Sequence, residues 1–188
     1  MMLPDLVGPG VKLLLVGINP GMRTVAVGAH FAGRSNRFYP ALWRAGILDR
    51  RVDSTDGLLE ADREHILARG VGVTSLVARG TAKASELDDA ELVAAVPDLL
   101  ARIAEYRPAV AAFLGVTAYR IAFQQPKAVV GVQPPLGGTA VWVVPNPSGL
   151  NAHETVDSLA TAYREAAIAA GIDVYPQPPV STVLASSS

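Results

Sequence analysis

Three stretches of the chain, KLLLVG (12–17), AVAAFLG (109–115) and AVWVVP (140–145), are apolar with almost no interruption. A strand with one wet face alternates polar and apolar residues, so unbroken runs of this length belong to strands covered on both sides. VGVTSLV (71–77) is short and β-branched and reads as a further strand. Helical patterns lie between and after them: RFYPALWRAGI (37–47), DDAELVAAVPDLLARIAEY (88–106), TAYRIAFQ (117–124) and ETVDSLATAYREAAIAAG (154–171), the last stopped by Gly171. Pro97 is expected to kink or divide the second of these. The segment GMRTVAVGAHFAGRSN (21–36) is rich in glycine and small residues and reads as a loop, and QPPLGG (133–138) as a turn. Strands alternating with helices, with no polar alternation along the strands, predict an α/β fold: a three-layer sandwich with a short, mainly parallel central sheet flanked by helices.

At 188 residues the chain has the size of one domain. That domain is expected to span 1–173; from residue 174 onward the sequence is biased to Pro and Ser without periodicity and reads as a flexible tail over 174–188. The absence of cysteine excludes disulfides, thiolate zinc sites and cysteine-ligated iron–sulfur clusters. The start, MMLPDLVGPGVKLLLVG, lacks the pattern of a secretory leader, and no apolar run approaches bilayer length, so the expectation is a soluble, cytoplasmic protein without membrane contact.

The net charge of -1 gives no support for a polyanionic partner, but its distribution is uneven. Residues 11–51 hold Lys12, Arg23, Arg34, Arg37, Arg44, Arg50 and Arg51 against Asp49 alone, and 106–153 hold no acid. A phosphate-facing surface needs such segments. Acids gathered on exposed helices would leave the same pattern, so charge alone does not choose.

Two Asn-Pro turns follow apolar strands: GINPG (17–21) and PNPSG (145–149). In a parallel sheet, loops at the carboxyl ends of strands converge on one ligand-binding edge. The two turns are therefore expected to face a single cleft, with proline setting the chain direction after each Asn.

GINPG, FAGRSNRFY (31–39), GVGVTSLVARGT (70–81) and PNPSGLN (145–151), in this order, resemble the mismatch-specific uracil-DNA glycosylases, bacterial relatives of thymine-DNA glycosylase, from about Lys12 to Gly171. The resemblance implies a monofunctional DNA glycosylase that flips uracil out of double-stranded DNA, notably from G:U mismatches, and hydrolyses its N-glycosidic bond in base-excision repair. It implies a monomer needing no metal or cofactor. It assigns the attacking water to Asn19, whose amide orients a nucleophile without acting as a strong base. Ile18, Gly21, Thr24, Phe31 and Asn146 are implied to bind the base: main-chain N–H groups at Ile18 and Phe31 grip its edge, the Phe31 ring stacks on it, and Thr24 crowds the 5-position. Ser148, Gly149, Leu150 and Asn151 are implied to form a loop that enters the DNA stack, with Leu150 as wedge. Asn19 and Leu150 should then line opposite sides of one pocket. Arg23, Arg34 and Arg37 are candidate phosphate contacts.

The chain also departs from its relatives. Asn151-Ala152 replaces a Ser-Arg pair after Gly-Leu, and Ser75 stands where some relatives carry Lys. His153 reads as a surface residue at a helix start. Two other readings are a Rossmann-like nucleotide binder, which KLLLVGINPG disfavours because it lacks G-x-G-x-x-G, and a DNA-damage sensor without turnover.

Overall fold

The computed structural model describes residues 2–177. The elements run β1 (Leu13–Gly17), α1 (Met22–Val27), α2 (Phe38–Arg44), α3 (Glu60–Ala68), β2 (Val71–Ser75), α4 (Asp89–Ala94), α5 (Val96–Tyr106), β3 (Val110–Leu114), α6 (Val116–Ala122), β4 (Gly131–Leu136), β5 (Thr139–Val144) and α7 (Val156–Ala169), with a short 3-10 turn at Ala84–Glu86 before α4.

The strands form one sheet in the order β2-β1-β3-β5-β4. All pairings are parallel except that of the edge strand β4, which runs antiparallel to β5. Side chains alternate between two cores, as the period of a strand requires. Leu13 and Leu15 of β1, with Val110, Ala112 and Leu114 of β3, meet Phe38 and Leu42 of α2, Ile66 of α3 and Leu159 and Tyr163 of α7. Leu14, Val16, Ala111, Phe113, Val141 and Val143 face the other way, against Leu92 of α4, Leu99 and Ile103 of α5 and Tyr119 of α6. The fold is thus the three-layer α/β sandwich that the apolar runs predicted.

Pro97 divides the long helical pattern, and it sits in the first turn of α5 where its missing N–H costs nothing. Three local expectations are corrected. Residues 22–27, read as loop, form the short helix α1 between Gly21 and Gly28; six residues are too few to show a periodic signal, and the turn persists through tertiary contacts such as the burial of Thr24. QPPL, read as a turn, lies in β4, which a Pro pair tolerates only because it is an edge strand with a register shift between Gln133 and Leu136. Helix α3 carries a weak apolar pattern, burying Asp62 and Ile66 only, and the sequence reading assigned nothing there.

At the opposite edge Leu6 exchanges main-chain hydrogen bonds with Val73 of β2 (2.9 and 2.8 Å), which covers that strand. Val174 packs against the core, and Tyr175 N–H donates to Gly46 O (2.7 Å). Residues 178–188 of the expected tail lie outside the described residues.

Candidate active site

Because β1, β3 and β5 are parallel neighbours, the turns leaving β1 and β5 emerge at the same edge of the sheet. There they border a cavity of about 190 Å³ lined by Ile18, Asn19, Gly21, Thr24, Phe31, Asn146 and Ser148, among others. This is well below the ~300–1,000 Å³ of pockets for drug-sized ligands and suits one small planar ring. The first Asn-Pro turn and the second meet at one cavity, as their positions in a parallel sheet predicted.

Asn19 is held from one side. Its Nδ2 donates to Thr81 Oγ1 (2.8 Å) and to Arg79 O (2.9 Å), with a longer contact to Pro20 O (3.3 Å). The amide's orientation follows from its partners. Arg79 O can only accept, and the Thr81 hydroxyl gives its own hydrogen to Lys83 O (2.8 Å), so both need an N–H opposite them. Asn19 Oδ1 is thereby turned away from these groups, and it accepts from no described residue. The product is a fixed acceptor at the cavity.

Thr81 is buried, bridges in parallel to Gly21 and donates its N–H to Pro20 O (3.1 Å). It lies in the VARGT block, yet sequence reasoning gave it no role. A threonine sixty-two residues from Asn19 shows no local pattern that would mark it as a partner.

Asn146 is used differently. Its Oδ1 accepts from Ser148 N (2.8 Å), closing an Asx turn, and its main-chain O accepts from Asn151 Nδ2 (3.1 Å). Its own Nδ2 donates to no described residue. Asn19 thus carries an uncommitted acceptor and Asn146 an uncommitted donor, on two residues that both line the cavity.

Phe31 stands in the left-handed region at φ +56°, a conformation costing on the order of 1–2 kcal/mol for a residue with a Cβ. Its ring stacks on Phe38 (centroids 4.0 Å apart, planes 23° apart), and Ser54 Oγ donates to its carbonyl (3.3 Å). This arrangement holds the ring at the cavity wall.

His30 also lines the cavity and went unremarked in the sequence. It is buried, and its Nε2 lies 2.9 Å from Pro4 O. A carbonyl only accepts, so Nε2 carries the proton; burial holds the imidazole below its ordinary pKa and neutral. Tyr39, whose hydroxyl donates to His30 O (3.0 Å), is likewise pushed well above the usual phenol range by burial.

Leu150 does not line this cavity. It lines an adjoining depression that shares Ile18, Ala84, Asn146 and Ser148 with it, together with Asn151 and His153. The expected single pocket with Asn19 and Leu150 on opposite walls is therefore two neighbouring hollows, because the Asx turn at Asn146 carries the chain outward before Leu150. At the tip of this loop Leu150 is 85% exposed. Gly149 passes so close to the 32–36 segment that a Cβ would fall 2.6 Å from Ser35 O, so only glycine lets the two loops touch. Asn151 is spent inside its own loop, with His153 N donating to its Oδ1 (3.4 Å).

The three arginines expected at phosphates separate. Arg37 is turned inward: its guanidinium donates to Ser148 O and Asn151 O (2.6 Å each) and to Glu154 O, and its N–H donates to Pro147 O (3.0 Å). It clamps the second loop, and its buried Nε has no partner among the described residues. Arg23 pairs with Asp56 (2.7 Å) and Thr55 O (2.6 Å). Arg34 is exposed and makes no hydrogen bond to a described residue. No cluster of His, Asp or Glu suited to a metal occurs among the described residues.

The family model for the uracil DNA glycosylase superfamily matches residues 4–169, which spans both turns and all five strands of the sheet. The chain belongs to the uracil DNA glycosylase superfamily. Its fold is also similar to the solution NMR structure of a candidate uracil DNA glycosylase from Methanosarcina acetivorans, with a TM-score of 0.61 at 16% identity, covering 87% of this chain and 96% of that one. That relative is archaeal, so the likeness gives no support to a bacterial origin. Membership supports a DNA glycosylase role, and the matched residues include the two turns that border the cavity. No described helix is long and apolar enough to cross a membrane.

Proposed function

We propose that the protein is a monofunctional, mismatch-specific uracil-DNA glycosylase that extrudes uracil from double-stranded DNA, notably from G:U mismatches, and leaves an abasic site. The observation that carries this reading is the orientation of Asn19: both amide hydrogens are tied to Arg79 O and Thr81 Oγ1, and Oδ1 is left as an acceptor at a cavity of one-ring size.

The chemistry needs little more. The extruded ring stacks on Phe31, whose other support is Phe38. The C1′–N1 bond breaks with its electron pair passing to the base, positive charge developing on the sugar. Asn146 Nδ2 and main-chain N–H groups at the cavity stabilise the charge spreading onto the pyrimidine oxygens, the logic of an oxyanion hole. A water held by Asn19 Oδ1 supplies its oxygen to C1′ and releases its proton to solvent. An amide is too weak a base to remove that proton, so turnover is slow. Leu150, apolar and exposed at a loop tip, suits the space the base vacates, offsetting part of an unstacking cost of a few kcal/mol.

The deciding experiment incubates excess protein with duplexes carrying one uracil opposite guanine or adenine, followed by alkaline cleavage at abasic sites. Excision is expected, faster opposite guanine. Asn19→Ala should lower the single-turnover rate by roughly 100-fold or more while keeping affinity for an abasic duplex within about twofold. No alkali-labile product with any uracil duplex would sink the enzymatic reading and leave a damage-binding protein. Equal rates for Asn19→Ala and parent would remove Asn19 from the chemistry.

A further inference from the structure

Beside the cavity lies a second, larger groove of about 510 Å³ that the proposed reaction does not use. It is lined by Arg34, Asn36, Trp43, Arg44, Arg51 and Asp53, among others, and shares Asn36 with the cavity, so the two adjoin at that residue. The Arg51 guanidinium lies over the Trp43 ring, 4.4 Å from its centroid. Stacking fixes the plane of the fork and leaves its N–H edges for a ligand, and Arg51 makes no hydrogen bond to a described residue. Arg34 is likewise exposed with no such bond. Arg44 is held by Asp157 (2.7 Å), and Asp53, the acid in the groove, accepts from Thr55 N (2.9 Å) and lies within electrostatic reach of Arg34. Two guanidinium groups without a hydrogen bond to a described residue, one aligned on an aromatic face, thus stand along a groove that adjoins the cavity.

We propose that this groove carries the sugar–phosphate backbone flanking the extruded nucleotide on one side, with Arg34 and Arg51 binding phosphates and Trp43 setting the plane of Arg51. The proposal rests on DNA being the substrate. It replaces the set Arg23, Arg34 and Arg37 with a pair drawn from two loops. Phosphate oxygens are matched by planar forks, whereas a neutral small molecule would leave both cations unanswered.

The test compares the parent with the double variant Arg34→Gln, Arg51→Gln on duplexes containing a tetrahydrofuran abasic analogue. One duplex has about one helical turn on each side of the analogue, and two others are trimmed on one side only. Each lost phosphate contact lowers the salt slope by about 0.9, so between 50 and 200 mM salt the parent should lose about tenfold more affinity than the variant. Trimming one particular side should abolish that difference, and trimming the other should leave it. An unaltered salt slope on the long duplex overturns the proposal, as does a loss that ignores which side is trimmed, the mark of general charge. If the parent excises no uracil yet the side-dependent difference persists, the catalytic reading fails and the groove stands. Excision without side dependence gives the reverse.

Discussion

At the scale of single residues, Asn19 does its work through a neighbour that the motif does not contain. Thr81 accepts from Nδ2 because its own hydrogen is committed to Lys83 O, and this makes it a positioning residue for the acceptor at the cavity. Thr81→Val keeps shape and removes that acceptor, leaving an amide hydrogen without its partner at a cost of about 1–3 kcal/mol. Single-turnover excision should fall about tenfold or more with little change in affinity for an abasic duplex, and Thr81→Ser should restore most of it. Recovery in Ser but not Val separates orientation from packing.

His30 makes a different kind of prediction. Its folded-state pKa lies below the ordinary value of about 6.5, so as pH falls through 6.5 the unfolded chain takes up a proton that the folded chain refuses. Stability contributed by the neutral imidazole is full above that pH and is lost on acidification toward the depressed value. The midpoint of thermal unfolding should therefore drop between about pH 7 and pH 5, above the range where carboxylates titrate. In His30→Asn that part of the profile should flatten; an unchanged profile would assign the drop to other groups.

Among elements, the decisive contact is between the loop after β5 and the segment before α2. Gly149 lies against Ser35, and Arg37 reaches the main chain of the second loop at Ser148, Asn151 and Glu154. Bonds from a charged donor are worth about 1.5–3 kcal/mol each in favourable cases. Arg37→Gln should thus free the loop that carries Leu150, seen as faster amide exchange over 148–154. Excision should suffer more from a paired uracil than from a single-stranded one, because a loosened wedge matters only where bases are stacked. A phosphate ligand would behave otherwise, lowering the salt slope while leaving loop exchange alone.

Across the whole molecule, the chain closes on itself beyond the last helix. Tyr175 N–H bonds to Gly46 O, Arg164 Nη1 donates to Tyr175 O (2.8 Å), and Arg69 lies 4.4 Å over the Tyr175 ring. Gly46 has φ +73°, and a Cβ there would fall 2.2 Å from Tyr175 O, so the sequence keeps glycine at the point of contact. Ending the chain after residue 174 keeps Val174 on the core and removes two hydrogen bonds and a cation–π contact, roughly 2 kcal/mol, and should lower Tm by about 4–8 °C. A chain ending after 177 keeps this tie and is the reference for the loss. Equal melting of the two truncated forms would mean that this tie contributes nothing.

The primary structure by itself determined the layers and the meeting of the two turns. Unbroken apolar strands such as LLLVG and VAAFL have to be covered on both faces, and covered parallel strands bring Asn19 and Asn146 to one edge whatever the details of the helices. Tertiary structure alone decided what those residues do. Which amide atom of Asn19 faces the cavity depends on Thr81 and Arg79, which lie in the segment after β2. Whether an arginine meets a phosphate or its own loop depends on which carbonyls lie within its reach, as Arg37 and Arg51 illustrate. The division has a physical cause. Burial is a property of a residue type summed along a segment and survives in the linear order, whereas hydrogen-bond commitment is a property of pairs and is set when distant segments come together.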